Sequence, residues 1–183
     1  MVRRTTAQPV DPEALERILD TARRGPSAGF SQGQSFVLVT DAAVRQRIAG
    51  LCDEAAYAAR GFDPWVSGAP VHVVPCVRRA AYDERYAAPD KADSTPVGDW
   101  EVPFWWVDGG AALMLLLLAT VDEGLAAGFL SVRPGPLRDL LGIPLDVAPL
   151  GLVTIGHPAP DRPSGSLARG RTPLEEVVHR GHW

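Results

Sequence analysis

At 183 residues, 46% hydrophobic and 22% charged, the chain has material for one sizeable core without disulfide staples. A formal charge of −4 with no basic run argues against a nucleic-acid partner, and the early polar residues predict no signal peptide and a cytoplasmic protein. Two cysteines, Cys52 and Cys76, lack C-x-x-C spacing and read as reduced buried thiols.

Asp11-Pro12-Glu13 has the grammar of a helix start, an N-cap acid followed by proline at the first helical position. Leu15, Ile18, Leu19 and Ala22 then recur at i, i+3, i+4 and i+7, the stripe of a half-buried helix. Gly25-Pro26 ends it, because proline disfavours helical geometry in the residue before it. Phe36 to Thr40 is a β-branched strand run, and 42–60 a helical stretch with Val44, Ile48, Leu51 and Ala55 on one face. Val71 to Val77 predicts a second strand, with Pro75 placing it at an edge or ending it early.

Residues 79–104 break the rhythm with Pro89, Pro96 and Pro103 and no sustained period. Their aromatic content favours a lid or a dimer-clasping excursion over disorder. A helix over 106–123 follows, ending before Gly124; Asp108 near its start reads as a cap or a favourable charge at the positive helix end. Its apolar run from Ala111 to Ala119 falls short of the roughly 20 residues a bilayer crossing needs, so burial is expected, partly under a second subunit. A strand at 129–132, a short helix at 136–141 closed by Gly142 and a strand at 150–155 complete one domain, 1–183, without repeats. The tail from 157 to 173 is rich in proline, glycine and arginine, yet Leu174, Val177, Val178 and Trp183 come after it. An arm docked on a neighbouring subunit accounts for both.

The window 24–36, Arg-Gly-Pro-Ser-Ala-Gly-Phe-Ser-Gln-Gly-Gln-Ser-Phe, carries the chemistry. Gly25-Pro26-Ser27-Ala28-Gly29 fits the G-x-S-x-G pattern of a hydrolase nucleophile elbow, but an elbow leaves a strand and enters a helix. Here the order is helix, loop, strand, which rejects that reading. His179 and His182 form H-x-x-H without a third ligand in sequence, and His72 and His157 are lone histidines, so no metal site is expected. No G-x-G-x-x-G follows a strand.

The same window resembles the P-S-x-x-N-x-Q-P-W segment of the nitroreductase family, and other segments follow in that family's order. Arg3-Arg4 before Pro9-Val10-Asp11-Pro12 resembles its N-terminal arginine segment. Leu116 to Ala119 with Glu123-Gly124-Leu125, Leu141-Gly142-Ile143-Pro144, Ile155-Gly156, and Arg169-Gly170-Arg171-Thr172-Pro173-Leu174-Glu175-Glu176 resemble its later segments. The resemblance implies an α+β fold, a nitroreductase-like mixed sheet flanked by helices, in an obligate homodimer with C-terminal arm exchange and FMN at the interface. It implies that Arg3, Arg169 and Arg171, with Arg4 beside them, hold the FMN phosphate; a guanidinium offers phosphate a rigid fork of donors. Pro26, Ser27, Ala28, Phe30 and Gln32 would line the flavin ring from the other subunit, and Leu130 and Ser131 would sit at its hydride-accepting edge.

The activity implied is hydride transfer from NAD(P)H, or a deazaflavin, to a small planar acceptor such as a nitroaromatic, quinone or enone. Residues 79–104 would set acceptor size, with Trp100, Phe104, Trp105 and Trp106 as stacking candidates and the flavin carrying the chemistry. Phe30 stands where most of the family has asparagine, and Gly33-Gln34 replaces Pro-Trp. Phe30 and Ser131 resemble the sub-branch of 5,6-dimethylbenzimidazole synthase, which consumes its own FMN with oxygen. That activity and a non-catalytic flavin-binding role are the alternatives.

Overall fold

Asp11 opens the first helix as expected: its side chain accepts from the Glu13 amide at 3.1 Å, and α1 runs Pro12–Arg23. The computed structural model describes residues 2–161 and 165–183; the middle of the proline-rich tail, 162–164, lies outside the described residues. After α1 the chain forms β1 (Gln34–Val39), α2 (Ala42–Leu51), α3 (Glu54–Ala58), β2 (Val71–Arg78) and α4 (Ala80–Tyr86). Then come α5 (Phe104–Asp122), β3 (Ala126–Leu130), α6 (Pro134–Leu141), β4 (Val147–Pro149), β5 (Leu152–Gly156) and α7 (Leu174–Val177). The α+β class holds, and among the described strands every pairing is antiparallel, in the order β1-β2-β5-β3 with β4 also on β2.

Two apolar layers cover the sheet. On one face Leu15, Ile18 and Ala22 of α1 and Leu116 of α5 meet Val71, Val73, Val153 and Ile155. On the other, Ile48 and Ala49 of α2 and Leu137 of α6 meet Val74, Cys76 and Leu152. β2 is buried along nearly its whole length, as the period-2 alternation of a strand between two layers requires. Each fully buried Leu, Ile or Val contributes about 1.5–3 kcal/mol, so this packing, rather than helix propensity, places α5. Gly109 lets α5 approach closely, since a Cβ there would lie 2.5 Å from Val77 Cγ1. The helix ends in a Schellman turn, with Leu125 N–H donating to Thr120 O, Gly124 N–H to Val121 O, and Gly124 at φ 71°.

Several expectations are corrected. Pro75 neither ends β2 nor marks an edge: β2 pairs with β1 on one side and with β5 and β4 on the other. Pro75 O accepts from Leu150 N–H at 2.8 Å, so the missing proline N–H falls at the seam between β5 and β4, where no ladder bond is lost. The 42–60 helix breaks after Leu51, where Asp53 takes a left-handed φ of 55°. The strand placed at 129–132 lies at Ala126–Leu130, and residues 79–104 contain α4, whose Tyr82 is fully buried. The 19-residue α5 would by length and composition reach across a bilayer, but its stripe of Asp108, Gly109, Ala112, Leu116 and Thr120 is buried in the fold. Met114, Leu118 and Val121, on another stripe, stay more than half exposed.

His72, buried in β2, binds Val66 O through Nε2 at 2.7 Å and leaves Nδ1 without a partner. Burial outweighs that bond and lowers its pKa from 6.5 to about 4. Because the folded value lies below the free one, the imidazole's contribution is complete above pH 6.5 and is lost as pH falls toward 4. Urea unfolding of wild type should therefore lose on the order of 3 kcal/mol more across that window than His72→Asn does; parallel pH profiles would refute it.

Candidate functional site

The window between α1 and β1 forms a tight loop. Ser27 is extended, Ala28–Phe30 make a 3-10 turn, and Ser27 Oγ accepts from the Gln32 amide at 2.9 Å. Gly29, Phe30 and Gln32 have φ of 60°, 60° and 51°. For Phe30 and Gln32 such a backbone costs on the order of 1–3 kcal/mol each, so the surroundings must impose it. They do. The buried Asp108 carboxylate accepts through one oxygen, Oδ2, from the Ala28 amide at 2.9 Å and from the Tyr82 hydroxyl at 2.8 Å. Arg85 Nε donates to Gly29 O at 2.8 Å and pairs with Asp90 through its other nitrogens. A Cβ on Gly33 would lie 2.5 Å from Tyr82, and one on Gly29 2.7 Å from Tyr86. Burial first, then the bond to Asp108, raises the Tyr82 hydroxyl's pKa well above its usual range, so it stays a donor.

Asp108 is thus neither the helix cap nor a charge at the helix end; Pro103 holds the N-cap position, and the first turn carries no acid. As an anchor of the loop Asp108 escaped the sequence reading, as did Tyr82, Arg85 and Tyr86. The i, i+3, i+4 spacing of Tyr82, Arg85 and Tyr86 was the signal that one face of a helix meets the loop.

Beside the loop, Tyr82, Tyr86, Trp100, Phe104 and Trp105 form an edge-and-stack cluster, with Tyr86 and Trp100 centroids 4.8 Å apart. A groove of about 850 Å³ opens along Ala28, Tyr86, Trp100, Val102 and Phe104. Of the four stacking candidates, Trp100 and Phe104 line it, while Trp105 sits under Arg79 and Trp106 is exposed; neither of these lines the groove.

The arginines stand elsewhere. The N-terminal segment runs beside the sheet, with Val2 N–H donating to Ala127 O and Thr5 bridging to Pro158. Arg3 and Arg4 line a cavity of about 170 Å³ with Tyr57, Phe62, Asp63, Trp65 and Asp161. Arg4 pairs with Asp63 at 3.4 Å, and the Arg3 amide donates to Asp161 at 2.7 Å. Leu130 ends β3 and Ser131 follows it, exposed; Trp65 of the cavity lies against Gly128 in the middle of that strand. Arg169 and Arg171 border a separate hollow made only of tail residues, and 165–183 is exposed throughout. Two guanidinium pairs and aromatic walls suit a phosphorylated aromatic cofactor. Within one chain, three places hold these residues, and no described cavity joins them.

Cys52 and Cys76 are buried thiols, each pushed by burial to about 11, and so carry no thiolate chemistry. His179 rests its ring on Trp183 at 4.1 Å.

Fold and site define a class that comparison bears out: the Nitroreductase family model matches residues 1–157, and the chain belongs to that family. It is 30% identical to the FMN reductase [NAD(P)H] of Bacillus subtilis over 98% of this chain and 69% of that protein. It is 27% identical to the NADPH-flavin oxidoreductase of Vibrio harveyi over 100% of this chain and 70% of that protein. The solved structure of the hypothetical oxidoreductase YcnD from Bacillus subtilis superposes with a TM-score of 0.76 at 27% identity, covering 100% of this chain and 70% of that one.

The Asp108 junction is testable by stability. Asp108→Leu strands the Ala28 N–H and the Tyr82 hydroxyl and should cost about 2–4 kcal/mol in urea unfolding. Asp108→Asn keeps a carbonyl acceptor and should stay within about 1 kcal/mol of wild type. Equal losses would show that the two hydrogen bonds are not what holds the loop.

Proposed function

We propose that the chain works as a homodimeric FMN-dependent oxidoreductase that moves hydride from NAD(P)H to a small planar acceptor in two separate half-reactions. The observation that carries this reading is the rigidified 26–32 loop, pinned by a buried carboxylate beside an aromatic-walled groove sized for a planar ring. FMN, when bound, supplies the hydride chemistry. The protein supplies the rest. Arg3 and Arg4 hold the phosphate with Arg169 and Arg171; Pro26, Ser27, Ala28, Phe30 and Gln32 present a fixed backbone wall to the ring, and Leu130 with Ser131 borders its reacting edge. Trp100 and Phe104 orient the acceptor and keep water from it.

A second copy resolves the separation of these groups. Val107, Met114, Leu118 and Val121, all more than half exposed, fall at spacings of 7, 4 and 3 along α5, a self-complementary seam. Exposed apolar residues on α7 and at Trp183 give the tail a docking face of its own. The names of the Bacillus and Vibrio relatives favour a second reading of the acceptor, in which free flavin leaves reduced.

The purified protein should be yellow, bleach anaerobically with NAD(P)H and recover colour with a quinone. A colourless protein that ignores added FMN ends the reading. Arg171→Ala should weaken FMN binding by about 1.5–3 kcal/mol in equilibrium dialysis; unchanged affinity would show the tail misassigned. Leu118→Glu should convert a dimer to monomers in sedimentation and release flavin with it, whereas a monomeric wild type would remove the seam.

A further inference from the structure

The groove beside the loop has a charge asymmetry that the flavin reading does not use, though assigning it to an electron acceptor rests on that reading. Rings of Tyr86, Trp100 and Phe104 form its walls, Asp93, Asp99 and Glu101 contribute three carboxylates, and among the described residues no basic one lines it. Some acids elsewhere on the surface are matched: Asp20, Glu84, Asp90 and Glu123 each hold an arginine at 2.8 Å or less. Among the described residues, none of the three groove carboxylates forms such a pair. One neighbouring ring and one wall ring already receive cations. Arg79 lies 5.0 Å from the Trp105 centroid and Lys91 5.2 Å from that of Tyr86, and neither lines the groove.

A planar cation entering here meets aromatic faces and a field in which three carboxylates outnumber the one nearby ammonium; an anion of the same shape meets the reverse. We propose that this groove binds planar aromatic cations, and that Asp93, Asp99 and Glu101 determine this specificity. Three carboxylates at near-surface distances give a cation about tenfold over its neutral analogue at low salt, and an anion a similar loss. Screening removes the difference as the Debye length falls to a few ångströms.

Three naphthoquinones of one ring size test this, one bearing trimethylammonium, one unsubstituted and one bearing sulfonate. The FMN-loaded protein is reduced with dithionite, so that donor charge plays no part, and mixed with each quinone in a stopped-flow instrument. Each quinone gains two electrons and two protons, hydride from the reduced cofactor and one proton from water, and becomes the hydroquinone. The expected order of second-order rate constants is cationic, neutral, anionic, with about tenfold steps at low ionic strength that collapse in molar salt. In Asp93→Asn/Asp99→Asn/Glu101→Gln the steps should vanish while the neutral quinone keeps its rate. No ordering in wild type, or the same ordering in the triple variant, overturns the proposal. If the protein takes up no FMN, the flavin reading fails and the groove is tested separately with N-methylacridinium and acridine sulfonate. Fluorescence-detected binding of the cation alone, lost in the triple variant, supports the groove; equal binding or none overturns it.

Discussion

Everything around the loop depends on one carboxylate. Asp108 sits five residues into the central helix, inside the protein and without a cationic partner among the described residues, and spends a single oxygen on two donors from two other segments. One donor is the backbone of the loop, the other the tip of a side chain from α4. Removing either link would leave a buried polar group unmatched, a larger penalty than the bond's own net worth. The left-handed residues at 30 and 32 are therefore held from outside, and loop, α4 and α5 behave as one body.

That body also organises the aromatic cluster. Tyr82 is at once the hydroxyl donor and a ring packed edge-on against Trp100 and Trp105, so the polar junction and the apolar one share a side chain. The N-terminal cavity is built differently. There Arg4 is matched by Asp63, and Asp161 takes the Arg3 amide, so much of the local positive charge is offset within the chain. Arg169 and Arg171 have no such compensation from acids in salt bridges among the described residues, which makes the tail the freer source of positive charge.

Periodicity made α1 and its cap readable, because both rest on local backbone chemistry. The same holds for the end of α5 at Gly124. Pro75 misled, because a missing N–H matters only where a neighbour expects it, and a seam between two short strands is a long-range fact. The helix within the 79–104 excursion went unread because α4 is short and its anchor, Tyr82, is explained by a carboxylate 26 residues away. Family resemblance pointed to the loop and the arginines, but not to Trp105 and Trp106 turning from the groove while Trp100 and Phe104 face it. Adjacent aromatic residues on a helix point about 100° apart, and the sequence alone did not say which way each would turn.

The tail has one more consequence. Residues 165–183 are exposed throughout, so in the proposed dimer a second molecule is what covers them. In the proposed dimer, half of the phosphate grip arrives with that molecule, and the grip scales with how much protein is present. Dilution would then strip the coenzyme and separate the subunits in a single transition, coupling the yellow colour to mass action.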